Sequence, residues 1–102
     1  MTETSTARPL ALGYVRPQHG QTPAQVGRLK AELSFWAWRE GWFLGPIWTE
    51  RGEPSGFEAL ADAAVRNEAR AVIVPGPGHL SPAQVAALSR RAHVAVHLVH
   101  PK

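Results

Sequence analysis

Residues 10–25 read Leu10-Ala11-Leu12-Gly13-Tyr14-Val15-Arg16-Pro17-Gln18-His19-Gly20-Gln21-Thr22-Pro23-Ala24-Gln25. Leu10 to Val15 shows no polar alternation, the pattern of a short strand buried on both faces. Arg16 to Gln21 is the polar loop leaving it, punctuated by a proline and a glycine. Thr22 then offers a hydroxyl cap, and Pro23 takes the first helical position, where its missing N–H would be unpaired in any case. Gln25 stands three residues after the cap and completes a capping box. A strand followed at once by a capped helix is the opening half of a β-α-β unit.

The rest of the chain repeats that alternation. The first helix is predicted to run to Glu40 and stop at Gly41 in a left-handed cap. Phe43 to Thr49 reads as a second strand, and Pro46 places it at a sheet edge because proline cannot donate to a ladder. Ser55-Gly56-Phe57-Glu58 is another capping box, opening a helix whose Phe57, Leu60, Ala61, Ala64 and Val65 share one face. Ala71 to Val74 is a continuous apolar strand closed by Pro75-Gly76-Pro77-Gly78. Ser81-Pro82-Ala83-Gln84 starts a third helix with Val85, Leu88 and Ala92 inward, and Val94 to Val99 is the last strand. Residues 1–9 read as a flexible N-terminal tail and residues 10–102 as one α/β domain. The order β-α-β-α-β-α-β predicts a three-layer open sheet of four mainly parallel strands flanked by helices, with a flavodoxin-like topology.

Composition bounds the function. The 102 residues are 44% hydrophobic and 19% charged, enough for a packed core and against wholesale disorder. Charges or prolines interrupt every apolar run before the roughly 20 residues a membrane helix needs. The polar start Met1 to Thr6 lacks the order of a signal peptide. A cytoplasmic domain with no membrane partner is the expectation. With no cysteine in the chain, disulfides, thiolate zinc sites and a cysteine nucleophile are excluded. The net charge is only +3, and the arginines are scattered among glutamates, so any DNA affinity should be weak.

In an open parallel sheet, ligands bind beyond the carboxyl ends of the strands. That edge gathers Arg16, Gln18 and His19 after the first strand, Glu50, Arg51, Glu53 and Ser55 after the second, and His79 after the third. Arginine there can hold an anion while histidine or glutamate moves a proton. The Pro75 to Gly78 loop matches neither the phosphate-loop nor the dinucleotide pattern, and its prolines remove amide donors. It is read as shaping the edge. His93, His97 and His100 gather at the last strand, but positions 93 and 97 lie about 13 Å apart along a strand, too far for one metal ion. Surface or edge histidines are expected there, with no metal site and no cofactor.

Gly13-Tyr14-Val15-Arg16 resembles the end of the first strand in the resolvase/invertase family of serine recombinases, which carries Tyr-x-Arg-x-Ser. The resemblance continues through Leu29 and Leu33, through Arg39-Glu40-Gly41-Trp42, and through Thr49-Glu50 with Ser55-Gly56, which echo that family's Asp-x-x-x-Ser-Gly turn. It implies a resolvase-like sheet domain. It also implies that the nucleophilic serine falls on Gln18, which cannot form a phosphoserine link to DNA. Arg16 keeps the motif's arginine and Glu50 the acidic charge. The family's Asp-Arg-x-x-Arg positions read Gly78, His79 and Pro82, and its arginine before the second helix has no counterpart near Phe57-Glu58. Phosphoryl transfer needs an activated nucleophile and clustered positive charge. The resemblance therefore implies a degenerate, truncated and catalytically inactive domain: not an enzyme but a binding or protein-interaction module with residual DNA affinity.

On a helical wheel, Val26, Leu29, Leu33 and Trp36 form the inward stripe of the first helix, while Phe35 and Trp38 project from the other side. Phe35, Trp38 and Trp42 are the candidate interface of a homo-oligomer; the other reading is that strands or the tail cover both sides, or that Trp42 folds back after Gly41 as a cap contact. A different reading takes the chain as a small-molecule or anion-binding domain, or a small enzyme, built on Arg16, Glu50 and His79.

Overall fold

A computed structural model describes residues 8–51 and 55–101, and of Ser55 the backbone alone. The elements run β1 (Leu10–Val15), α1 (Pro23–Glu40), β2 (Phe43–Thr49), α2 (Ser55–Arg66), β3 (Ala71–Val74), α3 (Pro82–Ala92) and β4 (Ala95–Leu98). The strands lie in the order β2-β1-β3-β4, and all three pairings are parallel. The α/β expectation holds: a four-stranded parallel sheet is flanked by three helices. No helix among the described residues is long and apolar enough to cross a membrane.

The two capping boxes that can be followed form as the sequence dictates. The Thr22 hydroxyl accepts from Gln25 N–H while the Gln25 side chain accepts from Thr22 N–H, and Ser81 and Gln84 repeat the exchange. The box expected at Ser55 involves a side chain outside the described residues. Gly41 ends α1 with φ 89°, and the following Trp42 N–H reaches back to the Ala37 carbonyl at 2.8 Å. That back-bond closes a Schellman turn. α3 ends instead on His93, a non-glycine residue held at φ 57°.

Alternation along the strands divides the core in two. Leu12, Tyr14, Val72 and Val74 face α2 and α3, packing with Phe57, Leu60 and Leu88. Ala11, Val15, Ala71 and Ile73 face α1 and pack with Leu33 and Ala37. Two inward assignments change. Val65 is 50% and Val85 37% exposed. α2 packs against α3, which brings Ala63 into the core and leaves Val65 on the rim of its stripe.

β2 is an edge strand, as Pro46 requires. The β1–β2 register shifts between Ala11↔Leu44 and Gly13↔Ile47, a bulge that absorbs Gly45 and Pro46. Of the expected tail, residues 1–7 lie outside the described residues. Arg8 donates to the Trp38 carbonyl at 3.0 Å, and the Pro9 carbonyl accepts from Phe43 N–H at 2.9 Å.

Gly13 marks the tightest contact between β1 and its neighbours. A Cβ there would stand 2.8 Å from Ile47 Cγ1 and 3.2 Å from Leu33 Cδ1. Gly13→Ala should therefore lower unfolding free energy in urea by about 1–3 kcal/mol, the cost of overpacking a tight core.

Candidate functional site

The strand order reverses between β1 and β3, because β2 returns beside β1 on one side while β3 and β4 extend the other. A crevice forms at the carboxyl ends of strands at such a switch. Two hydrogen-bonded pairs stand at this edge.

The inner pair is Tyr14 and Glu50. Glu50 follows β2 and is 4% exposed. Its Oε1 accepts from the Tyr14 hydroxyl at 2.7 Å and from Phe57 N–H at 3.0 Å. The carboxylate thereby sits on an amide at the start of α2, where the helix dipole favours negative charge. Glu50 Oε2 is buried and has no partner among the described residues. Burial first, then the bond to Glu50 and its charge, push the Tyr14 phenol far above its ordinary value of 10, against a smaller opposing effect of Arg16. Tyr14 is therefore a fixed donor that orients Glu50.

The second pair is exposed Arg16 and His79, which is only 8% exposed. The Arg16 N–H donates to His79 Nδ1 at 2.8 Å, across 63 positions of sequence. An Nδ1 that accepts leaves the proton of the neutral ring on Nε2. Burial, and then the positive charge of Arg16, lower His79 below its ordinary 6.5. His79 is consequently neutral at pH 7 and can donate through Nε2–H. Arg16 is exposed and makes no ion pair among the described residues. Its positive charge acts on both Tyr14 and His79.

The other candidates distribute differently. Gln18 and His19 lie on an exposed loop, where Gln18 N–H donates to the Gln21 side chain at 2.7 Å. Ser55 begins α2, its side chain outside the described residues along with Glu53. The structure joins Arg16 to His79 and ties Glu50 to Tyr14 rather than to either. Tyr14, missing from the predicted crevice, was signalled by a lone hydroxyl in an otherwise apolar strand.

The Pro75 to Gly78 loop packs on the end of β4. A Cβ on Gly76 would stand 2.9 Å from the His100 carbonyl. On the opposite side of the sheet, Phe35 and Trp38 are exposed, with ring centres 6.3 Å apart. Trp42 does not join them. The Schellman turn folds it inward, and it stacks 5.5 Å from His97, whose other neighbour is Trp36 at 5.7 Å. His97, on the edge strand β4, is thus half-buried beside two indoles, while exposed His100 meets Glu32 at 3.0 Å.

No protein-family model matches the chain. No curated protein matches its sequence. Solved structures do match its fold. The C-terminal catalytic domain of ISC1926 TnpA, an IS607-like serine recombinase, superposes with TM-score 0.76 at 13% identity, covering 91% of this chain and 72% of that one. The C-terminal catalytic domain of IS1535 TnpA, another IS607-like serine recombinase, gives TM-score 0.67 at 19% identity, covering 89% and 71%. The chain has the fold of a serine-recombinase catalytic domain. That finding corrects the expectation, drawn from Gln18 and the missing phosphate-binding arginines, that the chain is not an enzyme: the structures it matches are catalytic domains.

The His79 environment predicts a pH dependence. The folded protein binds the His79 proton less tightly than the unfolded chain, so the unfolded state takes up more protons as pH falls below 6.5. Melting temperature should therefore fall from about pH 7 downward. His79→Asn, whose Oδ1 can accept from Arg16 N–H, should flatten that dependence in thermal denaturation.

Proposed function

We propose that this recombinase-fold domain binds DNA, taking a backbone phosphate at the crevice between the ends of β1 and β3, and that residues 10–102 act as one cytoplasmic domain. Arg16 carries this reading. Its backbone is fixed by the bond to His79 while its guanidinium stays exposed and unpaired among the described residues. A planar guanidinium matches a phosphate with two parallel bonds, and neutral His79 adds a donor without repelling the arginine. A small free anion is the alternative occupant of this crevice, and titration of inorganic phosphate against duplex DNA separates the two.

Fluorescence anisotropy with a labelled duplex tests the reading. Binding should weaken steeply with salt. Arg16→Ala should cost about tenfold in affinity and lower the slope of log K against log salt by about 1. Arg39→Ala, in the last turn of α1, should change neither. Absence of binding at low salt overturns the proposal. A protein–DNA adduct that survives denaturation would show that the domain performs transfer chemistry as well.

A separate observation supports self-association. Phe35 and Trp38 are 60% and 65% exposed, a pair of large aromatic rings on one helix face with the Arg39 guanidinium 5.8 Å over Phe35. Exposed aromatic patches flanked by arginine are typical of interfaces. Trp38→Asp should reduce the solution mass in sedimentation to that of the monomer while preserving the fold. An unchanged mass rules the contact out.

A further inference from the structure

A cleft of about 330 Å³ opens between the β1–α1 loop, the first turns of α1 and the end of β2. Pro17, Pro23, Val26 and the bare backbone of Gly27 form its apolar wall, and Lys30 and Arg51 supply its charge. Among the described residues no carboxylate lines it and neither cation makes an ion pair.

Gly27 is the informative residue. Glycine in a helix interior costs about 1 kcal/mol relative to alanine. The other described glycines have a reason within the chain. Gly20, Gly41 and Gly78 take left-handed backbone, and Gly13, Gly45, Gly56 and Gly76 have atoms within 4 Å of where a Cβ would stand. Gly27 has neither: its backbone is not left-handed, and a Cβ would meet nothing within 4 Å. No contact among the described residues calls for a glycine there. It leaves the helix bare over the cleft, as where a ligand approaches backbone closely.

We propose that this cleft binds one phosphorylated nucleoside unit, its phosphate between Lys30 and Arg51 and its base laid over Gly27 against Pro17, Pro23 and Val26. Two cations with no carboxylate among the described lining residues match a phosphate monoester, which carries about −1.5 to −2 at pH 7. The volume lies at the lower end of the range of small-molecule sites, about 300–1,000 Å³, which suits a mononucleotide rather than a dinucleotide. A free 5′-mononucleotide and the 5′-phosphorylated end of a DNA strand share this chemistry. The cleft does not depend on Arg16.

Amide NMR titration with thymidine 5′-monophosphate tests the proposal. Saturable shifts are expected at Val26, Gly27, Lys30 and Arg51. Thymidine and inorganic phosphate should each bind about tenfold more weakly or worse, as should Lys30→Ala and Arg51→Ala with the nucleotide. Gly27→Leu keeps a good helix former and fills the cleft, so it should abolish binding while the spectrum stays folded. Arg16→Ala should leave nucleotide binding intact, which separates failure here from failure of the DNA-binding reading. Tighter binding of a 5′-phosphorylated oligonucleotide than of the mononucleotide assigns the strand end, and equal affinity assigns the free nucleotide. The proposal is overturned if the nucleotide gives no saturable shifts at millimolar concentration, if the shifts fall elsewhere, or if inorganic phosphate binds as well as the nucleotide.

Discussion

β1 has a strand on each edge and helices on each face, so Ala11 to Val15 are all buried. A strand so enclosed must be apolar on both faces and must hand the chain to a helix at once, because no water is at hand for unpaired backbone groups. The remaining architecture follows. α1 covers one face, α2 and α3 the other, and the crossing from β2 to β3 passes over β1. The first residue free of this enclosure is Arg16, which emerges where the strand order reverses.

The same enclosure explains why polar groups at the carboxyl edge come in bonded pairs. A buried polar group without a partner is costly, so Tyr14 and Glu50 meet each other, and Glu50 also takes an amide of α2. Arg16 and His79 are joined through backbone and ring, which leaves the guanidinium available. The edge therefore separates a dry, rigid support from an exposed cation. Such a division suits recognition of an anion, since the exposed group is aimed by a scaffold that need not reorganise on binding.

Local chemistry made the elements legible. Thr22 with Gln25, Ser81 with Gln84, and Gly41 each announce a helix end through interactions within four residues of sequence. The all-apolar run Ala71 to Val74 permits little besides a buried strand. What depended on long-range packing was harder to read. Val65 lies on the expected face of α2, but that helix turns Ala63 toward α3 instead. Trp42, a candidate for the aromatic patch, is instead folded toward His97 by the turn at Gly41. The bonds Arg16–His79 and Tyr14–Glu50 join residues 63 and 36 positions apart, and no spacing rule anticipates them. The resemblance located the edge through Tyr14 and Arg16, but the inference from Gln18 and the missing arginines to a non-enzyme did not survive comparison with catalytic domains.

Hydrogen–deuterium exchange with and without a short duplex at low salt tests the central claim, that the carboxyl edge of the sheet is the DNA face. Protection should appear in the peptides spanning residues 14–21 and 76–82, where Arg16 and His79 stand. Protection confined to residues 34–44, around Phe35 and Trp38, would contradict the account and move the DNA face to the far side of the sheet.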